Sequence, residues 1–308
     1  MTFRSDLKQL LAGRDFRGRS RTPRSAVPFR KPSPGLTFRT AWTRSKAARA
    51  ARRGLHAGVL KPLVWAQTRP TVEGTEYLDG LTGPVIFAAN HASHLDAPLI
   101  LNTLPKNFAG RVAVGAAADY FFTARWRAIV TTLAFNAFPV ERFGGSAKQK
   151  QASLAPQLLD LGWSLLLFPE ASRSQDGWMS PFRIGAAFLA WSRKVPVVPV
   201  AMRGTYAAMP RGEWAIIRGR PSLTVRYGRP MLPHEGEAAR DFNVRVADAV
   251  HRLWAEEELG WYRALRESHA GRIERPSGPR GATWRRLWEA TRPIRADRPE
   301  RIWSSSSR

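Results

Sequence analysis

Short apolar runs alternate with longer amphipathic stretches between residues 84 and 228, and this alternation is the strongest architectural signal in the chain. Pro84–Ala89 is rich in β-branched and aromatic residues and bounded upstream by Gly80 and Gly83, so it reads as a strand covered on both faces. Val112–Gly115, the segment entering Phe138, Trp163–Phe168 and Val195–Met202 also read as strands, and Ser222–Tyr227 alternates. Between them, Asp119–Leu133, Ser146–Leu161 and Phe182–Arg193 read as helices. Phe242–Leu259 follows as another, with Val246, Val250 and Leu253 on one face. Strands separated by helices predict an α/β domain with a mostly parallel sheet flanked by helices. No internal repeat interrupts the pattern.

Upstream, Thr40–Leu60 combines helix-forming Ala, Leu, Lys and Arg with Leu55 and Val59 on one face, and reads as a basic amphipathic helix. Pro62 disfavours helix at Lys61, so a break and a second short helix are expected there. With Trp42 and Trp65, this pair suits either packing on the domain or lying on a membrane surface. The expected organisation is a basic, disordered leader over 1–40, a helical pair over 41–68, the α/β domain over 69–260, and a basic, loosely ordered extension over 261–308.

Charge changes the picture at the ends. The 308 residues hold 49 Lys and Arg against 24 Asp and Glu, a net charge of +25. Residues 1–53 carry 15 basic and 2 acidic side chains and residues 272–308 carry 10 and 4, which leaves +6 for the middle. The leader is rich in Arg, Ser and Pro and poor in large apolar residues, so it lacks the burial needed to order itself. Such compositions occur in solvated tails, in segments that meet anionic membranes or nucleic acids, and in organellar transit peptides. The chain has no cysteine, which excludes disulfides, thiolate catalysis and cysteine zinc sites. Its longest run without Asp, Glu, Lys, Arg or His, Ala128–Val140, would cover about 20 Å as a helix against the roughly 30 Å of a bilayer core, so no transmembrane helix is expected. Neither of the common glycine-rich phosphate loops occurs, so nucleotide binding through them is not supported.

Candidate chemistry collects at strand ends. Asn90 and His91 close the first buried strand, and Asp96 lies five residues beyond His91. On one regular helix that spacing turns the second side chain by about 140°, so the two meet only if His91 lies in a loop and Asp96 in the first turn of the next helix. Ser93 suits the N-cap of that helix. Paired in this way, Asp96 fixes the imidazole tautomer and His91 becomes a general base; unpaired, Asp96 only caps its helix. Arg142 projects from a glycine-containing turn and suits a phosphate. Glu170 and Arg173, three apart in a tight loop, suit a hydroxyl and a phosphate, or else pair with each other. Ser93 as a covalent nucleophile is poorly placed two residues from His91. A metal held by His91, His94, Asp96 and Glu170 is opposed by the cations Arg142 and Arg173. A nucleic-acid binder working through the basic ends is a rival of another class, although no nucleic-acid motif appears and the middle lacks a basic face.

Four blocks, Asn90–Asp96 (NHASHLD), Phe138–Arg142 (FPVER), Phe168–Ser174 (FPEASRS) and Val195–Val200 (VPVVPV), occur in that order. Together they resemble the motif blocks of the glycerolipid acyltransferases of the lysophosphatidate acyltransferase type, and the resemblance covers roughly Pro84–Gly228. It implies transfer of an acyl group from acyl-CoA or acyl carrier protein to the hydroxyl of a lysophospholipid, 1-acylglycerol-3-phosphate first, with another lysolipid or glycerol phosphate as the alternative. It implies no cofactor, a His91/Asp96 dyad, a phosphate contact at Arg142, and an acceptor pair at Glu170 and Arg173. It also implies action at a membrane, and the basic ends with Trp42, Trp65, Trp284 and Trp288 lead to the expectation of peripheral attachment on the cytoplasmic face. The third block commonly reads FPEGTRS, so Ser172 keeps the hydroxyl whereas Ala171 restricts a backbone position that is usually glycine.

Overall fold

The computed structural model describes residues 40–108, 110–121, 125–140, 154–213, 215–274 and 276–278. Seven strands form one sheet: β1 Arg69–Glu73, β2 Ile86–Ala89, β3 Val112–Ala117, β4 Ala137–Val140, β5 Ser164–Leu167, β6 Val197–Arg203 and β7 Ser222–Tyr227. Their order is β1-β7-β6-β2-β5-β3-β4, and every pairing is parallel except that of β6 with β7. The helices are α1 Lys46–Leu55, α2 Lys61–Gln67, α3 Asp96–Thr103, α4 Ala118–Phe121, α5 Arg125–Phe135, α6 Leu154–Asp160, α7 Gly185–Arg193, α8 Thr205–Ala208, α9 Ala239–Leu259 and α10 Trp261–His269.

The central strand β2 is buried throughout, which is what its unbroken apolar run requires. Successive side chains of a strand point to opposite faces, so Phe87 and Ala89 pack with α2 and α3 through Val64, Leu99 and Ile100. Ile86 and Ala88 join the other cluster, with Leu158 and Leu159 of α6, Ala187 and Ala190 of α7, and Phe242 and Val246 of α9. Helices on both faces leave the strand ends as the exposed backbone edge, and His91 lies just past the carboxyl end of β2.

Several expectations are revised. Strand β1 carries no apolar run; its exposure alternates, and Pro70 is tolerated because the strand lies at the sheet edge beside β7. The chain does not break at Lys61. A π-turn over His56–Leu60 joins α1 to α2, with the Lys61 amide donating to the His56 carbonyl five residues back. That wider turn relieves the clash a proline ring makes with the carbonyl four residues before it.

The face of α1 and α2 that packs is also not the one read from Leu55 and Val59. Ala48, Arg52 and Val64 are buried, while Val59 and Leu63 are about half exposed at 51% and 50%. Arg52 is buried because it serves the end of α5. Its guanidinium donates to the carbonyls of Leu133 at 2.7 Å, Thr132 at 3.2 Å and Thr43 at 2.8 Å, and His56 Nε2 contacts the Ala134 carbonyl at 2.8 Å. The last carbonyls of a helix lack intrahelical partners and carry partial negative charge, so a cation one turn long is a fitting cap. Burial holds the Arg52 guanidinium down at about 10.

At the other end of the chain, Gly260 turns with a positive φ of 73° and α10 folds back on α9 with Ala264 fully buried, so order runs past residue 260 into the expected extension. Thr40, at the start of the described residues, is 2% exposed. Residues 1–39, and the Arg142 turn, lie outside the described residues.

Candidate active site

The loop from Asn90 to Leu95 is built by polar groups that the strand delivers to its end. Asn90 is buried and bonds β6 twice, accepting from the Met202 amide at 2.7 Å and donating to the Met202 carbonyl at 3.1 Å. The next residue, His91, therefore leaves the sheet at a fixed point. Asp96 is fully buried in the first turn of α3, and its Oδ2 takes His91 Nδ1 at 2.8 Å, the Ala92 amide at 2.7 Å and the Ser93 amide at 2.8 Å. Three donors on one oxygen make this carboxylate both the partner of the imidazole and the hub of the loop. Its Oδ1 has no hydrogen-bond partner among the described residues.

With Nδ1–H directed at Asp96, the tautomer is set and Nε2 is the nitrogen left to accept a proton. The His91 side chain is 19% exposed, enough to meet a substrate. Phe168 stacks on its ring at 4.0 Å between centroids and 21° between planes, which limits rotation of the imidazole. Ser93 is not the N-cap. Its hydroxyl donates to the Met209 carbonyl at 2.9 Å and accepts from the Leu95 amide at 3.2 Å, so it ties the loop to the segment after β6. This use also removes it as a nucleophile.

The 168–174 loop after β5 closes over His91. Glu170 is 4% exposed, and its two oxygens accept from the His91 amide and the Ser180 amide, each at 2.8 Å. The Ser174 amide donates to the His91 carbonyl at 2.8 Å. His91 is thus held on both backbone sides by one loop. Burial pushes the Glu170 carboxyl up to about 8, against the pull of the two amide bonds. The sequence offered Glu170 either an acceptor hydroxyl or an ion pair with Arg173; in the fold two backbone amides occupy its oxygens. Ser172 and Arg173 are partly exposed in the same loop, and Arg211 donates to the Arg173 carbonyl at 3.1 Å. His94 lies near enough to Arg173 and His91 to feel both charges. Burial first, then those two, lower it to about 4, so it is a neutral imidazole at physiological pH.

The amides of Ala92 and Ser93 are committed to Asp96 and that of His91 to Glu170, so these three do not serve an oxyanion. The His91, Asp96, Glu170, Ser172 and Arg173 positions come together at one sheet edge.

Residues 69–203 match the family model described as Acyltransferase. Over 197 residues the chain is 28% identical to a 1-acyl-sn-glycerol-3-phosphate acyltransferase of Cocos nucifera, covering 63% of this chain and 59% of that protein. Over 153 residues it is 30% identical to the alpha form from Bos taurus, covering 50% of each.

The chain is similar to the acyltransferase family over residues 69–203.

The crystal structure of the 1-acyl-sn-glycerophosphate acyltransferase PlsC from Thermotoga maritima has the same fold, with a TM-score of 0.52 at 23% identity over 72% of this chain and 85% of that one. The chain spans roughly half to three-fifths of the length of the curated relatives named here.

Within the matched segment Ala171 has φ 61°, the left-handed region, and its amide donates to the Phe168 carbonyl at 2.9 Å. Alanine enters that region at a cost of about 1–2 kcal/mol, so Ala171 holds a backbone position that favours glycine. Ala171→Gly is expected to raise stability by about 0.5–1 kcal/mol and leave kcat unchanged, read as an increased denaturant midpoint. The supports that sequence reasoning missed are Phe168, Ser174, Ser180 and Arg211. Phe168 and Ser174 stand at the two ends of the third block, and that was the available signal.

Proposed function

We propose that this acyltransferase transfers a fatty acyl group from acyl-CoA or acyl carrier protein to the hydroxyl of a lysophospholipid, with 1-acylglycerol-3-phosphate as the first acceptor. The observation that carries the reading is the 2.8 Å contact between His91 Nδ1 and the buried Asp96 Oδ2 at the end of β2, in a domain of this family. His91 Nε2 takes the proton of the acceptor hydroxyl as its oxygen attacks the thioester carbonyl, and Asp96 stabilises the imidazolium that forms. The carbonyl carbon gains the oxygen and loses the sulfur, which leaves as a thiolate and needs no strong general acid. Glu170 fixes the backbone of His91, while Arg173, with Ser172 beside it, faces the acceptor phosphate. Arg142 is proposed as a second phosphate contact from outside the described residues. No cofactor enters the reaction.

The deciding experiment offers the purified protein a panel of labelled lysolipids and glycerol phosphate with both acyl-CoA and acyl carrier protein. Acylated product from 1-acylglycerol-3-phosphate is expected; no product from any pairing would overturn the proposal. Arg173→Lys keeps the charge but loses the planar fork, so the acceptor KM should rise more than the donor KM. Equal changes in both would assign Arg173 a structural role.

Attachment to the cytoplasmic surface of a membrane completes the reading. No helix among the described residues is long and apolar enough to cross a bilayer. Trp42, Val59 and Leu63 of the N-terminal helical region, and Trp126, Ile129 and Val130 of α5, are 43–66% exposed apolar side chains, and the sequence of residues 1–53 carries 13 excess cations. Each Lys or Arg near an anionic surface contributes up to about 1 kcal/mol, screened beyond about 8 Å. Deleting residues 1–38, ahead of the buried Thr40, should weaken binding to anionic liposomes, as should raised salt. Binding indifferent to both would place attachment on the apolar side chains alone.

A further inference from the structure

After β6 the chain continues through α8 into Met209, Pro210 and Arg211, and this segment is tied to both loops that carry the candidate chemistry. Ser93, two residues past His91, donates its hydroxyl to the Met209 carbonyl at 2.9 Å. The hydroxyl of the buried Tyr206 donates to the Gln175 carbonyl at 3.0 Å, just past the 168–174 loop. With its ring buried and its hydroxyl paired, Tyr206 fixes where the segment begins. Arg211 then reaches the 168–174 loop itself: its Nη1 donates to the Arg173 carbonyl at 3.1 Å.

That bond uses one of the five N–H donors of a guanidinium. The Arg211 side chain is exposed, and among the described residues it forms no ion pair. The groups around it are Arg173, through the shared bond, and Tyr206 and Asp176, since Arg211 and Asp176 both act on the Tyr206 hydroxyl. Arg173 in turn is close enough to His94 for its charge to lower that imidazole, as His91 does too. Two guanidiniums are therefore brought to one loop beside the imidazoles, a like-charge arrangement that an anion relieves.

The kind of anion follows from charge. A phosphate monoester has a second ionisation near pH 6 and carries about −1.5 to −2 at neutral pH, whereas a phosphodiester carries a single charge. One guanidinium balances a diester, and a monoester leaves charge for another. We propose that Arg211 is a further guanidinium of the acceptor site, which with Arg173 holds the dianionic phosphate monoester and separates 1-acylglycerol-3-phosphate from lysophospholipids whose phosphate is a diester. This rests on the reading in which the acceptor phosphate meets Arg173.

The test is steady-state kinetics of the full chain and of Arg211→Gln, Arg211→Lys and Arg211→Leu, with 1-acylglycerol-3-phosphate as acceptor and 1-acylglycero-3-phosphocholine as second acceptor or competitor. Gln keeps a donor for the Arg173 carbonyl without the charge, Lys keeps both, and Leu keeps neither. Arg211→Gln and Arg211→Leu should each raise the KM for the monoester by about 10- to 100-fold, the range of one charge-assisted hydrogen bond, with kcat and donor KM nearly unchanged. Arg211→Lys should recover part of the loss. The choline diester should bind all four proteins alike. In wild type the monoester KM should fall as pH rises through about 6, where the dianion forms, and in Arg211→Gln that dependence should flatten. A normal KM in Arg211→Gln with only Arg211→Leu impaired would reduce Arg211 to a tether of the Arg173 carbonyl and overturn the proposal. Equal losses for monoester and diester, or a loss confined to kcat or to the denaturant midpoint, would overturn it as well. Wild type that acylates 1-acylglycerol-3-phosphate while Arg211→Gln matches it sinks this proposal alone; wild type that acylates no phosphate-bearing acceptor overturns the functional reading and this proposal with it.

Discussion

Replacing His91 by alanine should lower acyl transfer by about 10²- to 10⁴-fold, the range a positioned general base contributes, with lysolipid binding nearly intact. Asp96→Asn is the sharper companion. The asparagine oxygen can stand where Oδ2 stands and keep the amides of Ala92 and Ser93 paired, while its NH₂ falls where Oδ1 has no partner. The loop survives at a cost of about 1–3 kcal/mol, but the charge that stabilises imidazolium is gone. The rate should therefore fall about 10²-fold or more with a nearly normal far-UV spectrum and a measurable denaturant midpoint. A His91→Ala enzyme within about tenfold of wild type would remove the base from the mechanism, and a fully active Asp96→Asn would leave Asp96 as a loop anchor alone.

Glu170→Ala should be nearly as damaging, and for another reason. It strands the amides of His91 and Ser180 in a dry site, a loss of about 2–5 kcal/mol in stability, and releases the backbone that aims the imidazole. As a positioning residue, Glu170 should affect kcat while the acceptor KM stays nearly constant; a rise confined to KM would return it to the acceptor-binding role read from the sequence. Its titration gives an independent check. With the folded value at about 8, above the ordinary 4.5, the folded protein holds a proton that the unfolded chain releases between those values. The associated stability is complete below about 4.5 and is lost as pH rises toward 8, by up to about 1.4 kcal/mol per pH unit. Denaturant midpoints measured across that window should fall less steeply in Glu170→Gln than in wild type; parallel curves would contradict the shift.

The alternation of apolar runs and amphipathic stretches, together with the His91 to Asp96 spacing, was sufficient to place a mostly parallel sheet between helices with the dyad past its first buried strand. Burial on two faces requires an unbroken apolar run, and a five-residue step to a partner carboxylate requires a loop before a helix. Both are local rules, and β2, β5 and β6 and the pairing of His91 with Asp96 obey them. What the local rules cannot contain is a partner distant in sequence. Strand β1 exists because β7 supplies its ladder, not because Arg69–Glu73 prefers it. Nothing local marks Arg52 for burial; the end of α5, 80 residues on, gives it carbonyls to serve. Glu170 and Arg173 read as a pair three residues apart, whereas the fold brings the His91 amide, 79 residues away in sequence, to Glu170. Buried polar groups must be matched wherever the chain places their partners, and only the tertiary structure decides which partners those are.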